Sequence, residues 1–292
     1  PGASVSNLLI PPTINGLPVT TIGEEAFQNA SITSAILPAS VTLIERRAFY
    51  EAALQTIEMP GIETLGFAAF AFCDFTSITL PDSLQTLGNS AFSHCNSLKS
   101  VTLPASLQSI DDYAFSTCTS LTSITLPDNL QIIGQEAFSA TALTSVTLPD
   151  SLQTIGNQAF ASCDLTSVTL PASLQTIAEE AFGFCDRLTS ITFLGNRPSS
   201  LGVNIFRSVA SNAKVYVLPG ATGFGETLQG LPVVVLMSIN TSTFTNDNWL
   251  ITLNGGTDGI TVEETTDLTA DNWVTNHNPI ITNGAFQFST TN

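Results

Sequence analysis

Positive charge is what this chain most conspicuously lacks: 7 Lys and Arg stand against 24 Asp and Glu in 292 residues, for a formal net charge of −17. A field of that sign repels nucleic acid and anionic lipid, so nucleic-acid binding is disfavoured. No apolar run reaches the roughly 18 residues that a bilayer-spanning helix needs, so no membrane insertion is expected. Histidine is confined to His94 and His277, and no CxxC occurs. That leaves little for a metal centre or a His-based catalytic site, and neither metal nor cofactor is expected. The chain opens at Pro1 without Met or a signal peptide, as a processed mature protein does, or a piece of a longer one.

What the chain has in quantity is repetition. The stretch 80–102, LPDSLQTLGNSAFSHCNSLKSVT, recurs at a spacing of 21 to 23 residues. Its Ala-Phe pair returns at Phe27, Phe49, Phe70, Phe92, Phe115, Phe138, Phe160 and Phe182, with a degenerate ninth at Phe206. A fixed period of this length predicts a solenoid, whose units bury their apolar faces only by stacking on one another.

Each repeat divides into three parts. LTSITLP, as in 121–127, alternates apolar and hydroxyl residues, the mark of a strand with one buried and one wet face, and its Pro ends the strand. SLQTIG, as in 151–156, reads as a turn whose Leu and Ile point inward and whose Gly closes it. Because Asp111 and Ala178 stand in place of that Gly, a left-handed residue is not obligatory there. NQAFASC, as in 157–163, is too short for more than one or two helical turns and places Phe160 in the core. The expected fold class is therefore α/β, β-rich, with parallel strands about 4.8 Å apart in a sheet on the order of 45 Å long.

Five cysteines, Cys73, Cys95, Cys118, Cys163 and Cys185, each follow the repeat Phe by three residues, in a slot held elsewhere by Ala30, Ala52 and Thr141. Small uncharged occupants mark a packing position, so buried thiols are the favoured reading. A stacked disulfide such as Cys73–Cys95 or Cys163–Cys185 is the alternative, with a metal site behind both.

The solenoid is expected over 1–236 in about nine to ten coils. It starts with a partial coil at 5–11 and an insertion around 13–18, and it closes with capping strands in 213–236. From 237 the composition shifts: Asp247, Asp258, Glu263, Glu264, Asp267 and Asp271 come without a single Lys or Arg. Short strands are predicted at 249–253, 259–263, 272–274 and 284–288, making 237–292 a small acidic β module. Asn246, Asp247, Asn248, Asn254 and Asp258 are oxygen ligands that could suit calcium, but without a complete loop signature turn chemistry is preferred.

The pattern LPxxLxxIGxxAFxxCxxLxSIT resembles the BspA-like class of leucine-rich repeats, found in many bacterial surface and secreted proteins, and the resemblance covers 5 to about 236. It implies a right-handed, curved leucine-rich-repeat solenoid, secreted or at the cell surface, in a family where some members are adhesins. The tail resembles a small β-sandwich-like module of secreted bacterial proteins, through VEETTDL, Trp273 and TNGAF.

The candidate ligand-binding residues lie on the outward face of the repeat strands. Ser77 and Thr79, Ser100 and Thr102, Ser123 and Thr125, Ser145 and Thr147, Ser167 and Thr169, and Ser190 and Thr192 form two ladders of hydroxyls. A third ladder, Thr76, Lys99, Thr122, Thr144, Thr166 and Thr189, flanks them. One reading is that Thr simply tolerates exposed strands. The other is a regular, nearly uncharged binding surface for something itself repetitive, without the aromatic or Arg anchors of a protein hot spot.

No catalytic residue is expected. Repeat equivalence makes His94 a surface residue, and the pairs Asp111–Asp112 and Glu179–Glu180 suit a helix N-terminus rather than acid–base work. The first functional expectation is thus a non-enzymatic extracellular recognition or adhesion protein, binding a protein or polysaccharide ligand through the hydroxyl face. The alternative is a structural subunit that binds copies of itself through its ends and grows as a filament or layer.

Overall fold

The computed structural model describes residues 6–236 in full and, beyond them, the backbone of strands between 238 and 287. A regular coil runs through an outer segment, a corner, an inner strand and a turn segment, and in most coils the outer segment is a strand. Outer strands such as Ser77–Thr79 and Ser100–Thr102 pair in parallel, Ser77 opposite Ser100 and Thr79 opposite Thr102. Their middle residues, Ile78 and Val101, point into the core.

At the corner the amide of Leu107 donates to the carbonyl of Pro104 at 3.2 Å, and Leu84, Leu130, Leu152 and Leu174 repeat the bond. The Ser beside that Leu ties one coil to the last. Ser151 Oγ donates to the carbonyl of Leu130, and Ser173 Oγ to that of Leu152, each at 2.6 Å. The LPxSL motif is therefore a turn plus an inter-coil link.

Two expectations are corrected here. The SLQTIG segment is more than a turn: its Thr-Ile dipeptides form a second parallel sheet, with Ser109–Ile110, Ile132–Ile133, Thr154–Ile155, Thr176–Ile177 and Ser200–Leu201 in succession. The Gly after it does not supply a left-handed turn; it permits close approach. A Cβ on Gly88 would stand 2.4 Å from the carbonyl oxygen of Leu65.

The second correction removes the α component, because no helix occurs among the described residues. The Ala-Phe segment is a run of overlapping four-residue turns. Within the coil, Ala114 donates to Asp111, Ser116 to Tyr113 and Cys118 to Phe115; the intervening amides of Tyr113, Phe115 and Thr117 donate to Gln135, Ala137 and Ser139 of the next coil. Alternate amides thus point along the solenoid, which a helix forbids. The geometry requires positive φ at Tyr113 (59°) and Thr117 (60°), and the same two slots are left-handed in coil after coil. Each such residue costs roughly 1–3 kcal/mol, and the bonds on either side hold it there.

Behind these turns runs a column of phenylalanines, Phe27 to Phe206, with successive ring centroids 5.1 to 5.9 Å apart and planes 3° to 21° from parallel. All but the terminal rings are wholly buried. Offset stacking adds about 0.5–1.5 kcal/mol per pair beyond area burial.

The partial first coil is present as expected, with Asn7–Leu9 paired in parallel to Ser34–Ile36. The insertion after it is a hairpin, Thr13–Ile14 against Leu17–Pro18, turning through Asn15 and Gly16, both at positive φ. A second TxxGLP hairpin, Thr227–Leu228 against Leu231–Val235, replaces the turn segment in the last coil. There Gln229 Oε1 accepts from the amide of Asn204 at 3.0 Å, taking the place of the next coil's carbonyl. Lys214–Val217 and Leu231–Val235 continue the outer sheet, in the stretch read from sequence as capping strands.

In the tail, Ser238–Thr245 pairs antiparallel with Asn248–Asn254, which pairs with Ala285–Gln287, and Val262–Glu264 pairs with Val274–Asn276. Asn246, Asp247 and Asp258 of the calcium reading, Asp267, Asp271 and Trp273, and the boundary at Met237 lie outside the described residues.

Candidate functional site: the hydroxyl face of the solenoid

All twelve hydroxyl residues lie on one face: ten are exposed, while Ser190 and Thr192 are half-buried. Thr76, Lys99, Thr122, Thr144, Thr166 and Thr189 flank them, every one exposed. The alternation that predicted this face holds because Val168 and Ile191 occupy the inward positions between Ser167 and Thr169 and between Ser190 and Thr192. Neighbouring rows sit about 4.8 Å apart where the strands pair.

The face is not one uninterrupted sheet, contrary to the expectation. Outer pairing joins Asn7–Leu9, Ser34–Ile36 and Thr56–Glu58, restarts with Ser77–Thr79 and Ser100–Thr102, continues as the single bridge Thr102 to Thr125, and resumes at Ser167–Leu170. Ser123, Ser145 and Thr147 therefore sit on backbone outside any strand. At its C-terminal edge the hydroxyl block meets a different pair, Lys214 opposite Ser190 and Tyr216 opposite Thr192.

Behind the opposite wall lie the cysteines, all free and all buried. Each thiol donates to the carbonyl of the Phe one coil earlier, Cys118 to Phe92 and Cys185 to Phe160 at 3.1 Å each. Burial pushes the thiols of Cys73, Cys118 and Cys185 up to about 12 and that of Cys163 to about 11, from an ordinary 9.0. Such groups stay protonated, which suits packing and not nucleophilic chemistry.

The sequence matches the BspA type leucine rich repeat region over residues 20–141 and 109–227, in 6 copies. The chain belongs to the BspA-type leucine-rich repeat family. A leucine-rich repeat protein from Bacteroides ovatus is 26% identical, with 79% of this chain and 69% of that one covered and a TM-score of 0.59. A T. pallidum leucine rich repeat protein is 30% identical over 70% of this chain and 77% of that one, at a TM-score of 0.40. A leucine rich cell surface protein from Faecalibacterium prausnitzii is 22% identical, with 74% and 69% covered and a TM-score of 0.46. Comparison with curated proteins returns no match.

On the turn side of this BspA-type solenoid, sequence reasoning missed an aromatic group. Phe72 stacks on His94 at 4.4 Å between centroids, Tyr50 meets Phe72 edge-on at 5.4 Å, and the Arg47 guanidinium lies 5.1 Å from the Tyr50 ring centre. His94 is thus half-buried against Phe72, with Ser93 Oγ 2.8 Å from its Nδ1, rather than a plain surface residue. The array does hold aromatic and Arg groups, on the turn side.

The carboxylates before Ala-Phe also differ from expectation, since there is no helix for them to cap. Asp112 Oδ1 accepts from the amide of Gln135 at 2.8 Å, and Glu180 bonds Gln158 Nε2 at 2.6 Å and Arg207 Nη1 at 2.7 Å. They are inter-coil links. Among the described residues no helix is long and apolar enough to cross a membrane.

Proposed function

We propose that this BspA-type protein is a non-enzymatic recognition protein that works outside the cell and binds through its hydroxyl face. One observation carries the reading: twelve Ser and Thr side chains in two columns share a face without a carboxylate among them, in a chain of net charge −17. An acidic protein that keeps these two columns neutral presents along them only hydroxyl donors and acceptors at the coil repeat. The ligand that complements such a face is itself uncharged, hydroxyl-bearing and repetitive, which describes a neutral polysaccharide. Buried thiols held protonated are compatible with an oxidising exterior, because thiolate is the form that oxidises.

The test is a glycan array probed with the wild type and with the triple variant Thr102→Glu, Thr125→Glu, Thr147→Glu. Loss of a neutral-glycan signal in the folded variant supports the face. Retention of that signal, or binding confined to matrix proteins, defeats the assignment.

A second reading, end-to-end self-association, is favoured by the exposure of Leu9 (71%), Ile14 (56%) and Leu17 (70%) on the first described coil. Light scattering over a dilution series separates the two: a monomer at every concentration removes it.

A further inference from the structure

The corner of the coil, regular through most of the array, opens near its C-terminal end. It runs over 171–175 in one coil, 194–199 in the next and 218–226 in the one after, between the same outer and inner strands. Pro171 is buried at this corner; the residues following Phe193 and Val217 in the same slot are Leu194 and Leu218, exposed at 40% and 37%. The result is an open cleft of about 520 Å³ with Ala172, Gly195, Gly220 and Ala221 lining it between the two leucines.

Its rim is polar and fixed. Asn196 Oδ1 accepts from the amide of Thr222 at 2.9 Å, and the Arg197 amide donates to the carbonyl of Thr222 at 3.0 Å. Gly223, at φ +87°, leaves room for the Arg197 stem, whose Cβ would be 3.0 Å from a Cβ there. Arg197 is one of only 7 basic residues, it lines this cleft, and among the described residues no carboxylate lies within ion-pair distance of it.

The geometry points to a second binding site here, for a branched apolar group that carries a carboxylate. Leucine walls and a floor of small residues take the apolar part, and the Arg197 fork takes the two carboxylate oxygens. Two sources share this chemistry, a free branched-chain acid and the C-terminal residue of a peptide. The site is independent of the hydroxyl face.

Amide chemical-shift mapping of the whole chain tests it, with N-acetyl-leucine, N-acetyl-leucine amide and a short uncharged peptide ending in leucine as probes. Shifts of Gly195, Asn196, Gly220 and Ala221 are expected with the acids, with the amide at least about tenfold weaker. Arg197→Gln is expected to cost about tenfold in affinity, and Leu218→Asp, at an exposed position, to abolish binding with the denaturation midpoint kept. Binding of both acids assigns the free acid as sufficient, and binding of the peptide alone assigns a chain end. Equal binding of acid and amide, indifference to Arg197→Gln, or no shift at these residues with any probe overturns the proposal.

Discussion

The turn side and the strand side of each coil are built from the same backbone to opposite ends. On the turn side every amide from Tyr113 to Cys118 is bonded, alternately within its coil and to the next, and the Phe column fills the space behind. On the strand side the outer ladder lapses between Glu58 and Ser77 and again between Thr125 and Ser167, yet the hydroxyls keep their face. The contrast teaches that the turn column carries cohesion between coils, and the strand face is left free to present chemistry. A surface that is not needed for stability is available for recognition.

The sharpest way to break that comparison is to empty the column. Phe115 is fully buried between Phe92 and Phe138, with centroids 5.6 Å away on either side. Phe115→Ala removes the ring and both stacks, and is expected to cost about 3–5 kcal/mol by chemical denaturation. A loss below about 1 kcal/mol would mean the column is not what binds coil to coil.

Next in size is the alkaline behaviour of the cysteine ladder. Burial penalises the thiolate, pushing Cys73, Cys118 and Cys185 up to about 12 and Cys163 to about 11 against 9.0 for the ordinary group, and raising Cys95 as well. A folded pKa raised in this way contributes stability that is complete below pH 9.0 and declines from there towards about 12. The slope is about 1.4 kcal/mol per pH unit for each thiol. Unfolding midpoints measured across that window should fall steeply for the wild type, and Cys118→Ala should flatten the slope by one thiol's share. An unchanged slope in that variant would place the thiol in a wetter setting than the one described.

Legibility followed the same division. The Ala-Phe register, the cysteine slot, the Pro corner and the hydroxyl face could be read because each is a one-residue property repeated at the coil period. The inner sheet could not: it takes two residues per coil, such as Thr154 and Ile155, too few to show an alternation. The turn column looked helical because its left-handed slots hold Tyr113, Glu136, Gln158 and Ala140 rather than Gly, and its geometry comes from amides shared with the next coil. Tyr50, Phe72 and His94 were hidden because they depart from the repeat, occupying slots that most other coils fill with small or polar residues, Phe184 excepted. The leucines of the C-terminal cleft stand at a corner whose length changes, so only coordinates bring Leu194 and Leu218 together.

The smallest expected effect closes the comparison from the other side. Thr125 is exposed, and its only ladder contact is the single bridge to Thr102. Thr125→Glu exchanges one solvated side chain for another without opening a cavity or burying a charge, so its cost should stay within about 0.5 kcal/mol. That value, set beside Phe115→Ala in the neighbouring coil, measures how unequally the two sides share the work of folding. A Thr125→Glu loss approaching that of Phe115→Ala would make the hydroxyl face a structural seam, and the glycan reading would lose its premise.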